Sequence, residues 1–173
     1  MARADLARQT CTIARAVSLV GDEWTFMILR EMFLGGRRFD DFQRQTGASA
    51  ALLSQRLKKL EAEGVIRKEA YSERPVRFEY RMTAMGRELW PAVITLKQWG
   101  DKWLGDGPAP VEIVHKSCGH VTEPQMTCSE CGEPLLAKEV HVHPGPGARP
   151  KTIPPKPAKV AKAKPPRAKA RAA

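Results

Sequence analysis

The apolar residues of this chain change their spacing at Gly64, and that change restricts the fold more than any other feature. Before it they recur three and four apart, the repeat of helices packed on one side. After it they alternate, the repeat of half-buried strands. Ile13, Ala16, Val17 and Val20 make a first helical stripe, broken by Gly21-Asp22. A second helix carries Trp24, Ile28 and Phe33 and ends at Gly35-Gly36. The short segment Arg38 to Gln45 sets Phe39 and Phe42 three apart, and Thr46-Gly47-Ala48 turns the chain. Ser49 is a good N-cap for a helix running through Leu53, Leu57 and Leu60 to Glu63, with Gly64 as its left-handed stop. Two short helices joined by a glycine-containing turn are a helix-turn-helix pattern.

The alternating stretch places one strand at Val65 to Ala70 and another at Val76 to Met82. In the second, Val76, Phe78, Tyr80 and Met82 share one face, and Arg77, Glu79 and Arg81 the other. Tyr71-Ser72-Glu73-Arg74-Pro75 is the polar tip between them, so the hairpin reads as a wing. A last helix runs from an N-cap at Thr83 to about Leu104, with Met85, Leu89, Val93, Leu96, Trp99 and Trp103 at helical spacing. Pro91 lies inside it and is expected to kink it near Arg87. The fold class expected is mainly α with a small β-hairpin wing.

Charge divides the chain into three physically different parts. Of its 173 residues, 1–104 hold 18 Lys and Arg against 13 Asp and Glu. Residues 105–143 hold 2 against 6, and 144–173 hold 9 with no acid. The domain boundaries that follow are 1–106 for a winged-helix DNA-binding and dimerisation domain, 107–143 for a linker and small cysteine-bearing segment, and 144–173 for a disordered Pro/Ala/Lys tail. No stretch approaches the roughly 18 apolar residues that a membrane span requires. The start lacks the apolar core of a signal peptide, so the chain is expected in the cytoplasm, at the nucleoid.

A DNA-reading helix buries one face on its own domain and offers the other to bases and phosphates. Leu53, Leu57 and Leu60 supply the buried face, leaving Ser49, Ser54, Gln55, Lys58 and Lys59 outside and Arg56 near the boundary. Serine and glutamine can hydrogen-bond bases, and lysine and arginine neutralise phosphates. Arg37 and Arg38 precede the short helix within reach of a phosphate, and Arg74 and Arg77 mark the wing as a backbone or minor-groove probe. A solvated polar face is the commoner fate of such a helix taken alone. The ordered run of turn, helix, wing and basic tip favours double-stranded DNA.

These segments, with Cys11-Thr12-Ile13-Ala14-Arg15-Ala16, Gly21-Asp22-Glu23-Trp24-Thr25, Ile28-Leu29-Arg30-Glu31, Gly36-Arg37-Arg38-Phe39, Leu53-Ser54-Gln55-Arg56-Leu57 and Tyr71-Ser72-Glu73-Arg74-Pro75, resemble the HxlR-type family of bacterial winged-helix regulators over roughly residues 8–104. The resemblance implies a homodimer on a palindromic operator, with the first and last helices forming much of the interface. This chain departs from the family pattern at one place. The family commonly has a proline and then an amide residue after the capping serine, where this chain has Ala50 and Ala51. Alanine cannot donate to a base, so readout there is limited to a thymine methyl or is absent.

Cys11 begins the first helix, where the helix terminus with Arg8 and Arg15 nearby favours thiolate. The resemblance suggests an oxidant or electrophile sensor at this place. The alternative is a small buried apolar residue at a dimer interface. The other cysteines form a tighter pattern. His115 and Cys118 are three apart and followed by Gly119, as Cys128 and Cys131 are followed by Gly132. Each pair has the form of a metal knuckle, and the four together suit a closed, structural, zinc-ribbon-like Zn2+ site with short flanking strands at Val111–Val114 and Leu135–Val140. His120 competes with His115 as fourth ligand, His141 and His143 read as solvated surface residues, and three unligated thiols are the bland alternative.

The tail spaces its cations with alanine and proline and has no aromatic residue to stack on bases, so it offers diffuse phosphate attraction only. A general nucleoid-coating protein using this tail is the rival to an operator-specific regulator. A thiol oxidoreductase built on Cys128 and Cys131 lacks a thioredoxin-like context and an acid/base set, so no enzyme is expected.

Overall fold

A computed structural model describes residues 6–148, and the reading of 149–173 as disordered lies outside them. Among the described residues, those up to Val140 belong to one unit and 141–148 to another. In the first unit the elements are α1 (Thr12–Val20), α2 (Glu23–Phe33), α3 (Phe39–Thr46), α4 (Ala50–Ala62), β1 (Ile66–Glu73), β2 (Val76–Met82), α5 (Ala84–Arg87) and α6 (Trp90–Leu104). The mainly helical chain with its two-stranded antiparallel hairpin is a winged helix-turn-helix.

Local chemistry sets the helix limits. The Asp22 carboxylate accepts the Thr25 N–H at 3.0 Å and starts α2. The Asp41 carboxylate accepts the Arg38 N–H at 3.3 Å at the head of α3. Gly47, at φ 72°, ends α3, and Ser49 Oγ accepts the Leu52 N–H at 3.3 Å to start α4. These two caps fix the turn between the helices of the motif. Ile28 and Leu29 of α2, Phe42 of α3, Ala48 of the turn, and Leu53, Leu57 and Leu60 of α4 pack with Val65, Ile66 and Val93 in one buried cluster. Truncating any of its larger members would cost about 2–5 kcal/mol.

The wing is longer than its alternating pattern indicates. Pairing continues past Ala70 to Glu73 opposite Val76, leaving a two-residue tip at Arg74 and Pro75 in place of five. An irregularity between Ala70 and Ser72 absorbs the extra residue on β1 and lets the ladder resume. Tyr80 and Met82 are half-buried, but Val76 and Phe78 on the same face are exposed, so the wing projects beyond the core. A backbone bond from the Tyr80 N–H to the Arg37 carbonyl, 2.7 Å, ties β2 to the loop before α3.

The last helix is broken rather than kinked. The single element expected over Thr83–Leu104 is two, α5 and α6, separated by Glu88 and Leu89. Pro91 falls in the first turn of α6, where its missing N–H has no helical partner to lose. The strands expected at Val111–Val114 and Leu135–Val140 are also absent among the described residues. Only single antiparallel bridges form there, Val114 with Val121 and Thr127 with Pro134. Each chain reversal, through Gly119 or Gly132, is so tight that the flanking residues soon run out of partners.

Candidate nucleic-acid interface

The elements bring the basic residues to three places. Arg37 and Arg38 precede α3, Ser49 to Lys59 lie on α4, and Arg74 and Arg77 occupy the end of the wing. Arg37, Arg38, Ser49, Gln55, Lys58, Arg74 and Arg77 are exposed, and Ser54, Arg56 and Lys59 are half-buried. Lys58, Arg74 and Arg77 form no ion pair among the described residues and present undivided positive charge. Ser49 Oγ accepts a backbone N–H, which leaves its hydroxyl proton to donate outward. Ala50 and Ala51 are exposed beside it, at the head of the helix.

Two residues expected on the DNA face are bound into the domain. Arg56 Nε lies 3.0 Å from Asp22 Oδ1, and both side chains are largely buried. Lys59 Nζ donates to the Ser18 carbonyl at 2.8 Å and the Leu19 carbonyl at 3.3 Å, closing the C-terminal end of α1. Arg38 has a second task, since its guanidinium stands 4.6 Å from the centre of the Tyr71 ring and couples α3 to β1.

The base of the wing carries a charge network that the residue pattern alone did not reveal. Arg81 Nε lies 2.9 Å from Glu69 Oε2, Arg81 also pairs with Glu79, and Arg67 pairs with Glu69. The hydrogen bond from Arg67 holds the Glu69 carboxyl below its ordinary pKa, and the charges of Arg67, Arg81 and Arg37 act in the same direction. Arg67 and Arg81 are thereby neutralised locally, while Arg74 and Arg77 further out are not. The interleaving of Arg and Glu along both strands, Arg67 and Glu69 on β1 with Glu79 and Arg81 on β2, is its signal in the sequence.

The shape of a basic helix flanked by a basic wing matches known proteins. The profile of the HxlR-like helix-turn-helix family matches residues 19–107. This chain belongs to the HxlR-like family. It is 42% identical over 142 residues to the HTH-type transcriptional regulator Rv3095 of Mycobacterium tuberculosis, covering 81% of this chain and 89% of that protein. It is similar to the crystal structure of PA1607, a candidate transcription factor, with a TM-score of 0.71 and 30% identity over 80% of this chain and 98% of that one. It is also similar to the redox regulator HypR in its oxidised form, with a TM-score of 0.51 and 31% identity over 53% of this chain and 96% of that one. An HxlR-like regulator has DNA as its partner, and no helix among the described residues is long and apolar enough to cross a membrane.

The remaining sequence-derived positions fall outside this face. Cys11 is the half-buried N-cap residue of α1. His115 Nδ1 and Cys118 Sγ are 3.3 Å apart. The Cys131 and Glu130 backbone N–H groups, with the Cys131 thiol, donate to the Cys128 sulfur and lower its pKa. Two donor pairs are thus formed, but no three such side chains are yet close enough to hold a metal among the described residues. His120, His141 and His143 are exposed.

Proposed function

We propose that the chain is a homodimeric, operator-specific transcription regulator that places α4 in the major groove and its wing tip on the flanking backbone. The observation that carries this reading is the exposed set of Gln55 and Lys58 on α4, together with exposed Arg37 and Arg38 ahead of α3 and Arg74 and Arg77 at the end of the wing. The polar side chains contact base edges and the cations contact phosphates. Leu96, Trp99 and Trp103 along α6 and Ile13 and Val17 on α1 are exposed large apolar side chains, which support pairing of two copies through these helices. A footprint on DNA selected from a random pool tests it. Two protected half-sites whose centres lie about one helical turn apart, or a multiple of it, are expected. Protection with no preferred site would instead favour nucleoid coating.

Within this reading Cys11 makes the regulator responsive to thiol oxidants or electrophiles. Its place at the head of α1, and the likeness to a protein described as a redox regulator, support this. Diamide should release DNA from the wild type but not from Cys11→Ser; equal release from both would reject the sensor.

A further inference from the structure

The segment after α6 contains an internal repeat with an offset of thirteen residues. In its first copy the His115 N–H donates to the His120 carbonyl at 2.9 Å, and in the second the Cys128 N–H donates to the Glu133 carbonyl at 2.8 Å. Gly119 N–H to the His115 carbonyl, 2.8 Å, is matched by Gly132 N–H to the Cys128 carbonyl, 2.9 Å. Thr122 N–H to the Ile113 carbonyl is matched by Leu135 N–H to the Met126 carbonyl, both at 2.8 Å. The bridge between Val114 and Val121 is matched by that between Thr127 and Pro134. The two glycines take the same left-handed conformation, φ 71° and 75°.

This superposition puts His115 and Cys118 in the places of Cys128 and Cys131. It also puts His120 in the place of Glu133, outside the donor pair. The hairpins have little else to hold them. Val114, Val121, Met126, Leu135 and Leu136 are all exposed, so apolar burial contributes little. Small folds of this kind need a cross-link or a metal.

We infer that the two hairpins are half-sites of one structural zinc site, with His115, Cys118, Cys128 and Cys131 as ligands and His120 excluded. Three thiols bind as thiolates and release their protons to water, and one neutral imidazole completes a tetrahedron. Soft sulfur donors select a thiophilic metal over magnesium or calcium, and four protein ligands leave no open position for catalysis. The loop between the half-sites touches the winged-helix body, where Gln98 Nε2 on α6 donates to the Pro124 carbonyl at 2.9 Å.

The test is metal analysis of full-length protein, made in zinc-supplemented medium and purified reduced without chelator, alongside cobalt-substituted protein. One zinc per chain is expected in the wild type and in His120→Ala, with the visible spectrum of tetrahedral thiolate-bound cobalt in both. Cys118→Ser and Cys128→Ser should lose the metal and the spectrum, and His115→Ala should lose most of the zinc. Unchanged far-ultraviolet circular dichroism shows that the winged-helix body stays folded in these variants. Wild type with titratable thiols but only traces of zinc and no cobalt spectrum would overturn the site. So would a Cys128–Cys131 disulfide in place of metal in protein kept reduced. Metal lost from His120→Ala and kept by His115→Ala would overturn the ligand assignment.

Discussion

At the scale of single residues, neighbouring cations on α4 divide their work. Lys58 is exposed and makes no ion pair among the described residues, so Lys58→Ala should weaken binding to all DNA sequences alike. The slope of log affinity against log salt should shrink in magnitude by about 0.9 for one lost phosphate contact, read by titration at several salt concentrations. Arg56 instead holds Asp22, which also caps α2. Asp22→Ala should therefore cost about 1–2 kcal/mol in urea denaturation, through the lost cap and the stranded guanidinium. Helical spacing alone placed Arg56 near the boundary, and its partner required tertiary structure. Lys59 was less legible still, because its carbonyl partners lie about forty residues earlier in the chain.

At the scale of elements, the junction between the wing and α5 leaves no room for a side chain. A Cβ at Gly86 would lie 2.2 Å from the Val65 carbonyl oxygen. Thr83 Oγ1 fixes that approach, accepting the Gly86 N–H at 3.2 Å and donating to the Gly64 carbonyl at 2.7 Å. Gly86→Ala should destabilise the fold by about 1–3 kcal/mol, seen as a lowered Tm. The wing base should respond to acid. A folded-state pKa below the ordinary value means that Glu69 stabilises the wing above about pH 4.3 and loses this as pH falls through its lowered pKa. Amide exchange across residues 66–82 should quicken in that range, and Glu69→Gln should remove this dependence. The order and type of elements were legible because buried faces impose their period on sequence. The bulge, the broken last helix and the missing ribbon strands were not, since each depends on which backbone partners remain available.

At the scale of the molecule, two exposed features should change assembly and binding separately. Trp99→Asp with Trp103→Asp should turn the proposed dimer into monomer in sedimentation, because a tryptophan that an interface buries commonly contributes about 2 kcal/mol or more. Deleting residues 144–173 should flatten the salt dependence of DNA binding and leave the footprint in place. The family and DNA as its partner were legible in the sequence. Which cations face outward was not, because that depends on how α1 and α2 dock against α4. Lys59 donates to the carbonyls that end α1, and the Arg56 guanidinium forms an ion pair with Asp22 at the start of α2. That one helix, α4, is thus pinned at the end of α1 and the start of α2, so its outer face keeps a fixed heading relative to both.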